Sequence, residues 1–157
     1  MGTARVVEIL IAEAAKLPMK TLTECDAVAG CGLQGDRYFS NSGTFSPNPQ
    51  KPDFEITLIE KECVEAFARE SGVAFTAADA RRNIVTEGIQ LNDLAGSQFT
   101  IGEVLLQGIR LCEPCTHLAR ISFPEVLQGL VHKGGLRAQI IRGGKLRVGD
   151  EIRTITS

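Results

Sequence analysis

The stretch QFTIGEVLLQGI, residues 98–109, decides the fold class. Two short apolar runs, 98–101 and 104–109, flank Gly102-Glu103, and a glycine-containing corner between such runs is typical of a β-hairpin. Similar runs between turns predict strands at 5–12, 21–29, 54–59 and 83–85. Residues 136–141 and 145–155 are predicted to close the chain as strands around two glycine turns. Strands that alternate with turns, with two or three helices among them, predict a mainly β fold: a β-barrel with peripheral helices.

Helical patterns occur at two places. Apolar residues repeat at helical spacing across 60–71, and Gly72 provides a stop. Ser122-Phe123-Pro124-Glu125 has the spacing of a capping box and predicts a second helix, which ends near Gly134-Gly135. Residues 30–53 carry three prolines and predict a long loop. Loops of more than about 12–15 residues are usually functional or mobile.

Size and composition predict one globular domain over residues 1–157. Hydrophobic residues make up 43% and charged residues 23%, which is ordinary for a folded domain. A net charge of −2 gives no reason to expect nucleic-acid binding. No apolar run approaches the roughly 20 residues that span a bilayer, so no membrane association is expected. The N-terminal residues lack the long apolar segment of a signal peptide, and we therefore expect a cytoplasmic protein.

The segment LCEPCTH, residues 111–117, is the sharpest local motif for chemistry. Two cysteines at this spacing, Cys112 and Cys115, can bind zinc, cycle as a redox pair, or supply one activated thiolate. Structural zinc is disfavoured because no second C-x-x-C or H-x-x-x-H supplies further ligands. A thioredoxin-like motif is disfavoured because it would follow an early strand in a βαβ pattern. His117 fits either a structural role or proton transfer.

Cationic side chains recur in segments that are predicted to be loops or strand ends. They are Lys20, beside Thr21; Arg37, in a Gly-Asp-Arg triplet; and Arg81-Arg82, followed by Asn83. Arginine can grip a phosphate with two parallel hydrogen bonds, so these residues could converge on one phosphate group. The alternative is that each is a solvated surface charge, and spacing alone does not decide between the two.

Four motifs occur in the order that MOSC domains show. They are GLQGDR (32–37), RRNIVT (81–86), LCEPC (111–115) and VGD (148–150). The chain therefore resembles MOSC domains, which are named after the C-terminal domain of molybdenum-cofactor sulfurases. The resemblance covers roughly 21–155. Within the family the chain looks like a stand-alone bacterial protein, and it is similar to the molybdenum domain of the mitochondrial amidoxime-reducing component.

The resemblance implies a β-barrel that binds a molybdenum cofactor, molybdopterin. Cys115 matches the family's molybdenum ligand and is thus the implied catalytic residue. The family's pterin and phosphate contacts match Lys20, Thr21, Arg37, Arg81 and Asn83. The implied reaction is reduction of a small N-hydroxylated substrate by removal of its oxygen.

Two alternatives to this reductase remain open. In one, Cys115 bears a persulfide, and the chain is a sulfur carrier or a cofactor-handling module. In the other, the domain acts only by binding proteins. The sequence has neither the cysteine spacing of an iron–sulfur cluster nor a G-x-G-x-x-G nucleotide fingerprint. A reductase of this kind would therefore take its electrons from a separate protein.

Overall fold

The structure is a computed structural model that describes residues 4–12, 19–36, 55–72, 75–111 and 135–155. Strands predominate in this part of the chain. They are β1 (Arg5–Ile11), β2 (Lys20–Leu22), β3 (Glu24–Val28), β4 (Gly32–Leu33), β5 (Ile56–Glu60), β6 (Ile84–Glu87), β7 (Gln98–Ile101), β8 (Val104–Leu111), β9 (Leu136–Arg142), β10 (Gly144–Arg147) and β11 (Ile152–Thr154). The helices are α1 (Lys61–Ser71), α2 (Ala77–Ala80) and a 3₁₀ helix (Leu91–Leu94).

The strands form one mixed sheet and one small sheet. The larger has eight strands in the order β11-β7-β8-β9-β5-β6-β1-β2, and the smaller has the order β10-β3-β4. All pairs are antiparallel except β5 with β6. Parallel neighbours need a crossover connection, and α1 and α2 lie in the connection between these two strands.

The mainly β prediction is confirmed, whereas the closed barrel is not. Among the described strands, the ladders leave β2 and β11 at the two ends of the large sheet. Strand β1, the neighbour of β2, approaches residues 149–152 through an isolated bridge between Arg5 and Glu151 and through three backbone hydrogen bonds of 2.8–3.0 Å that involve Ala4 and Val6. Among the described residues these contacts do not form a strand ladder, and a closed barrel requires a continuous one.

The central strands of the large sheet are buried on both faces. Leu58 and Ile84 belong to the main apolar core, whereas the next residues along each strand, Ile59 and Val85, belong to a second cluster with Phe67 of α1. Successive side chains of a strand point to opposite faces. Helices α1 and α2 therefore cover one face of the central strands, and the main core lies on the other.

The helix predicted at 60–71 is confirmed. It ends at Gly72, which adopts a left-handed conformation with φ 75° and donates its N–H to the Ala68 carbonyl. The helix predicted to begin at Ser122 lies outside the described residues. None of the described helices is long and apolar enough to cross a membrane.

The predicted strand 21–29 and the predicted segment 145–155, which contains a glycine turn, each form two strands in the structure. The run 21–29 becomes β2 and β3, and the run 145–155 becomes β10 and β11. The second division falls at a turn around Gly149, where the Asp150 carboxylate accepts the Arg147 amide at 2.8 Å. The predicted loop contains the short strand β4 at its start, and its residues 37–53 lie outside the described part of the chain.

Candidate functional site

The C-terminal end of β1 is the place where several predicted ligand residues meet. In the ladder between β1 and β2, Thr21 lies opposite Leu10, and Lys20 lies opposite Ile11. Both Thr21 and Lys20 are exposed on the terminal strand of the sheet. An ammonium group and a hydroxyl are therefore presented at this end of β1 from adjacent strand positions, whose side chains point to opposite faces of the sheet.

The Gly-Asp-Arg triplet is held to the same end of β1. The Asp36 side chain is fully buried, and its Oδ1 accepts the Ala12 amide at 3.0 Å. Gly35 has φ +89°, and an added Cβ there would lie 3.2 Å from Ile11 Cδ1, so only glycine fits without strain. Arg37 is the residue after Asp36 and lies outside the described residues, so its predicted role stays a prediction.

Asn83 joins β1 to β5 through its backbone and its side chain. The Leu10 amide donates to the Asn83 carbonyl at 2.7 Å, and Asn83 Nδ2 donates to the Leu10 carbonyl at 3.2 Å. Asn83 Oδ1 accepts the Thr57 amide at 3.0 Å and the Thr57 hydroxyl at 3.1 Å. The Asn83 amide in turn donates to the Thr57 hydroxyl at 3.1 Å. The residue is fully buried, so protein groups surround its side chain.

Asn83, with its hydrogen bonds to Leu10 and Thr57, forms an anchor, the Asn83 anchor. Arg81 and Arg82 precede it in a tight turn. Arg81 ends α2 in the left-handed region, with φ 60° and ψ 36°, and its N–H donates to the Ala78 carbonyl. Arg82 is buried, and its Nη1 donates to the Ala80 carbonyl at 3.0 Å. Arg81 is only partly buried. Of the three residues in the Arg-Arg-Asn motif, Arg81 thus presents the most accessible side chain.

The structure brings Lys20, Thr21 and Asn83 to one region, with Arg81 two residues from it. Cys115, the predicted molybdenum ligand, lies outside the described residues, as do Cys112 and His117. The segment that contains them follows Leu111, the last residue of β8, in the sequence. The described residues therefore position part of the predicted site, and the roles of its members stay predictions.

Sequence reasoning missed three polar residues that organise this region. Asp36 and Thr57 make the contacts described above, and Arg137 of β9 lies opposite both Thr57 and Arg110. Arg137 is only 8% exposed. Thr57 and Arg137 could have been found as polar residues inside otherwise apolar predicted strands. Asp36 lies in the Gly-Asp-Arg triplet, in which a ligand role was assigned only to the arginine.

A buried cysteine near Asp36 is held in its protonated form. Burial, with smaller contributions from the charges of Asp26 and Asp36, raises the pKa of the Cys25 thiol to about 11. Thiol nucleophiles and metal ligands react as thiolates, so Cys25 is unreactive near neutral pH. In the part of the chain that the structure describes, no group of three or more His, Cys, Asp or Glu residues could hold a metal ion.

Three solved structures of bacterial proteins share this fold. The YuaD protein of Bacillus subtilis has a TM-score of 0.80 at 20% identity, covering 98% of this chain and 96% of that one. YiiM of Geobacillus stearothermophilus has a TM-score of 0.75 at 15% identity, covering 98% and 75%. YiiM of Escherichia coli has a TM-score of 0.69 at 20% identity, covering 98% and 70%. At such identities the likeness shows the fold alone.

Sequence comparison gives the family. No curated protein matches this sequence. The sequence profile of the MOSC domain matches residues 43–153, which is most of the chain and includes the Arg-Arg-Asn and Cys-x-x-Cys motifs. The chain belongs to the MOSC domain family.

Proposed function

We propose that this MOSC protein binds a molybdenum cofactor and reduces N-hydroxylated compounds. The observation that carries the proposal is the arrangement around residues 10–12 at the end of β1. Lys20 and Thr21 lie opposite this segment, Asn83 is hydrogen bonded to it, and Asp36 holds the chain beside it just before Arg37. MOSC domains are associated with molybdenum-cofactor binding, and the cofactor's phosphate needs donors such as Lys20, Thr21 and Arg37.

The chemistry of these groups fits an anionic cofactor. The exposed Lys20 ammonium, the exposed Thr21 hydroxyl and the partly exposed Arg81 guanidinium can all donate hydrogen bonds. Hydrogen bonds from a charged donor to a phosphate are about twice as strong as neutral ones. Lys20, Thr21 and Arg81 would hold the phosphate, and Arg37 would add a second guanidinium.

Cys115 would hold the metal. A thiolate is a soft ligand that suits a metal already bound by the dithiolene sulfurs of the pterin. Binding would also favour the deprotonated thiol. When bound, the cofactor supplies the two-electron chemistry that removes the oxygen of an N–O bond as water. The chain would anchor and orient it and admit the substrate, while a separate reductase, also in the cytoplasm, would deliver the electrons.

Molybdenum and pterin content tests this proposal. We expect near-stoichiometric molybdenum and pterin in wild-type protein from a cofactor-competent host, and a loss of about tenfold or more of molybdenum in Cys115→Ser. Serine is a harder and weaker ligand for this metal, which is the reason for the loss. Cys31→Ser is the matched control, because Cys31 is an exposed cysteine in the turn between β3 and β4.

The molybdenum content of Cys115→Ser and of the wild-type protein decides between the functions. Normal molybdenum in Cys115→Ser would overturn the ligand assignment. A wild-type protein without molybdenum but with a persulfide on Cys115 would favour the sulfur carrier. If wild-type protein contains the cofactor but does not reduce N-hydroxylated bases with a chemical reductant, the proposed cofactor binding stands and the proposed reaction is wrong.

A further inference from the structure

Both polar side-chain atoms of Asn83, Oδ1 and Nδ2, are hydrogen bonded to the protein. Its Oδ1 accepts two hydrogen bonds from Thr57, at 3.0 and 3.1 Å, and its Nδ2 donates to Leu10 at 3.2 Å. Two bonds fill the usual capacity of a carbonyl oxygen. The side chain is also fully buried, so a ligand could reach it only by displacing these partners. The side-chain amide group of Asn83 is therefore placed to tie strands together.

The same residue controls where Arg81 stands. Arg81 precedes Asn83 by two positions, and the residue between them is fastened to the end of α2 by its bond to the Ala80 carbonyl. At its other end α2 begins with a capping box between Thr76 and Asp79. The short helix and the Asn83 anchor thus hold Arg81 from both sides, in a backbone conformation that is uncommon outside glycine.

Thr57 supplies most of the anchor. Its hydroxyl donates to Asn83 Oδ1 and accepts the Asn83 amide, both at 3.1 Å, and its own amide donates to the same Oδ1. Thr57 lies in β5 and Leu10 in β1, so Asn83 joins the two strands on either side of β6. Each of these contacts restrains the turn that carries Arg81.

We propose that Thr57 and Asn83 are positioning residues, which fix the 81–83 turn so that Arg81 meets the phosphate, and that Asn83 does not itself touch the cofactor. This inference rests on the proposed function. It departs from the role that the family resemblance implies for Asn83, because the direct contact is replaced by an indirect one through the backbone. Thr57 enters as a residue that none of the four sequence motifs contains.

Amide hydrogen exchange and pterin content test the inference in the same set of proteins. Thr57→Val keeps the shape of the side chain and removes the hydroxyl, while the Thr57 carbonyl, 3.1 Å from the Asn83 backbone nitrogen, still accepts the Asn83 N–H. We expect this backbone N–H to exchange up to about tenfold faster, because it loses one of its two acceptors. Pterin content should fall with it. Thr57→Ser restores the hydroxyl and should restore both readouts. Ile101→Val, in a buried position of β7, controls for a general loss of stability and should change neither.

A double-mutant cycle separates the indirect role from a direct contact. If Asn83 acts through the turn, Asn83→Ala lowers pterin content, and the double variant with Thr57→Val loses little more, because the two residues act as one unit. If Asn83→Ala lowers pterin content while Thr57→Val leaves it unchanged, Asn83 contacts the cofactor directly and the inference is wrong.

Two further results would also overturn the inference. One is faster exchange in Thr57→Val with unchanged pterin content, which would show that Thr57 and Asn83 stabilise the fold without affecting cofactor binding. The other is equal acceleration in Ile101→Val, which would show that the amide follows global unfolding. A wild-type protein without pterin would end the proposed function. It would also end the positioning role toward the phosphate, and the exchange rates would then decide only whether Thr57 restrains the 81–83 turn, with unchanged rates in Thr57→Val overturning that part.

Discussion

Arg81 is the residue at which conformational strain and the predicted ligand role coincide. It is the one non-glycine residue with positive φ in the described ranges. A left-handed conformation costs an L-residue other than glycine about 1–2 kcal/mol. Such strain is stored preferentially at functional sites, where the surrounding structure holds the residue in place. The capping box of α2 and the Asn83 anchor hold Arg81 in this conformation.

Arg81→Gly should separate the strain from the ligand role. Glycine adopts φ 60° without steric cost, although it loses more entropy on folding, so we expect stability to stay equal or to rise by up to about 1 kcal/mol in urea unfolding. Pterin content should fall, because the guanidinium is gone.

Arg81→Lys is the matched control for this variant. It keeps both the strain and the positive charge but cannot make a bidentate contact, so its pterin content should lie between those of wild type and Arg81→Gly. A loss of more than about 1 kcal/mol in Arg81→Gly would mean that the arginine side chain stabilises the fold. Unchanged pterin content in Arg81→Gly would remove Arg81 from the site.

At the scale of elements, the start of β9 packs against β5 without room for a side chain. A Cβ added to Gly135 would lie 1.9 Å from the Leu58 carbonyl oxygen, and its φ of +103° already favours glycine. The next ladder positions are Leu58 with Leu136 and Thr57 with Arg137. The close approach of the two backbones therefore stands beside the Thr57–Asn83 anchor.

Gly135→Ala should force β9 away from β5. We expect a loss of about 3 kcal/mol or more in urea unfolding, because the clash is with backbone and no flexible side chain can yield. Pterin content should fall as the anchor shifts.

Gly149→Ala provides the comparison, since Gly149 has φ +96° and no atom would lie within 4 Å of its added Cβ. In Gly149→Ala the free energy of unfolding should fall only by the conformational cost of a positive φ, about 1–2 kcal/mol. Similar losses at the two positions would show that the crowding at Gly135 is relieved without cost.

At the scale of the whole molecule, two carboxylates link stability to pH. Burial is the largest cause in both cases and raises the pKa of Glu55 and of Glu60 above the ordinary value of 4.5. Hydrogen bonds from the Ile140 and Leu91 amides oppose burial without overcoming it. In the folded state these groups therefore bind protons more tightly than in the unfolded chain.

The sign of the pH dependence follows from this difference. Between the unfolded pKa and the raised folded pKa, the folded state holds more protons, so stability falls as pH rises through this window. We expect a fall on the order of 1 kcal/mol in urea unfolding from about pH 4.5 upward, and a smaller fall in Glu60→Gln. Stability that rises with pH across this window would contradict the prediction.

Surface carboxylates act with the opposite sign in a lower window. The hydrogen bond from Arg5 lowers the pKa of Glu87, and that from Arg153 lowers the pKa of Glu151. Their contribution is present above the ordinary pKa and is lost as pH falls through the lowered one. Both groups are exposed, so the contribution is small.

Much of the fold was predictable from local pattern. Strand β7 and helix α1 were located within one residue, because period 2 and period 3.6 are properties of neighbouring residues. The division within 21–29 was missed, since this run remains apolar enough to be read as a single strand, whereas the glycine turn within 145–155 was predicted. The 3₁₀ helix and α2 were missed because four residues are too few to show a period.

By itself, the sequence determined the mainly β class, and the order of four motifs together with the match to the MOSC profile determined the family. Only the tertiary structure decided that Lys20, Thr21, Asp36 and Asn83 surround the end of β1, and that the Asn83 amide is occupied by Thr57 and Leu10. The bond from Asp36 spans 24 positions and that from Asn83 to Leu10 spans 73. Contacts over such separations leave no periodic trace in the sequence, because they depend on which strands become neighbours after folding.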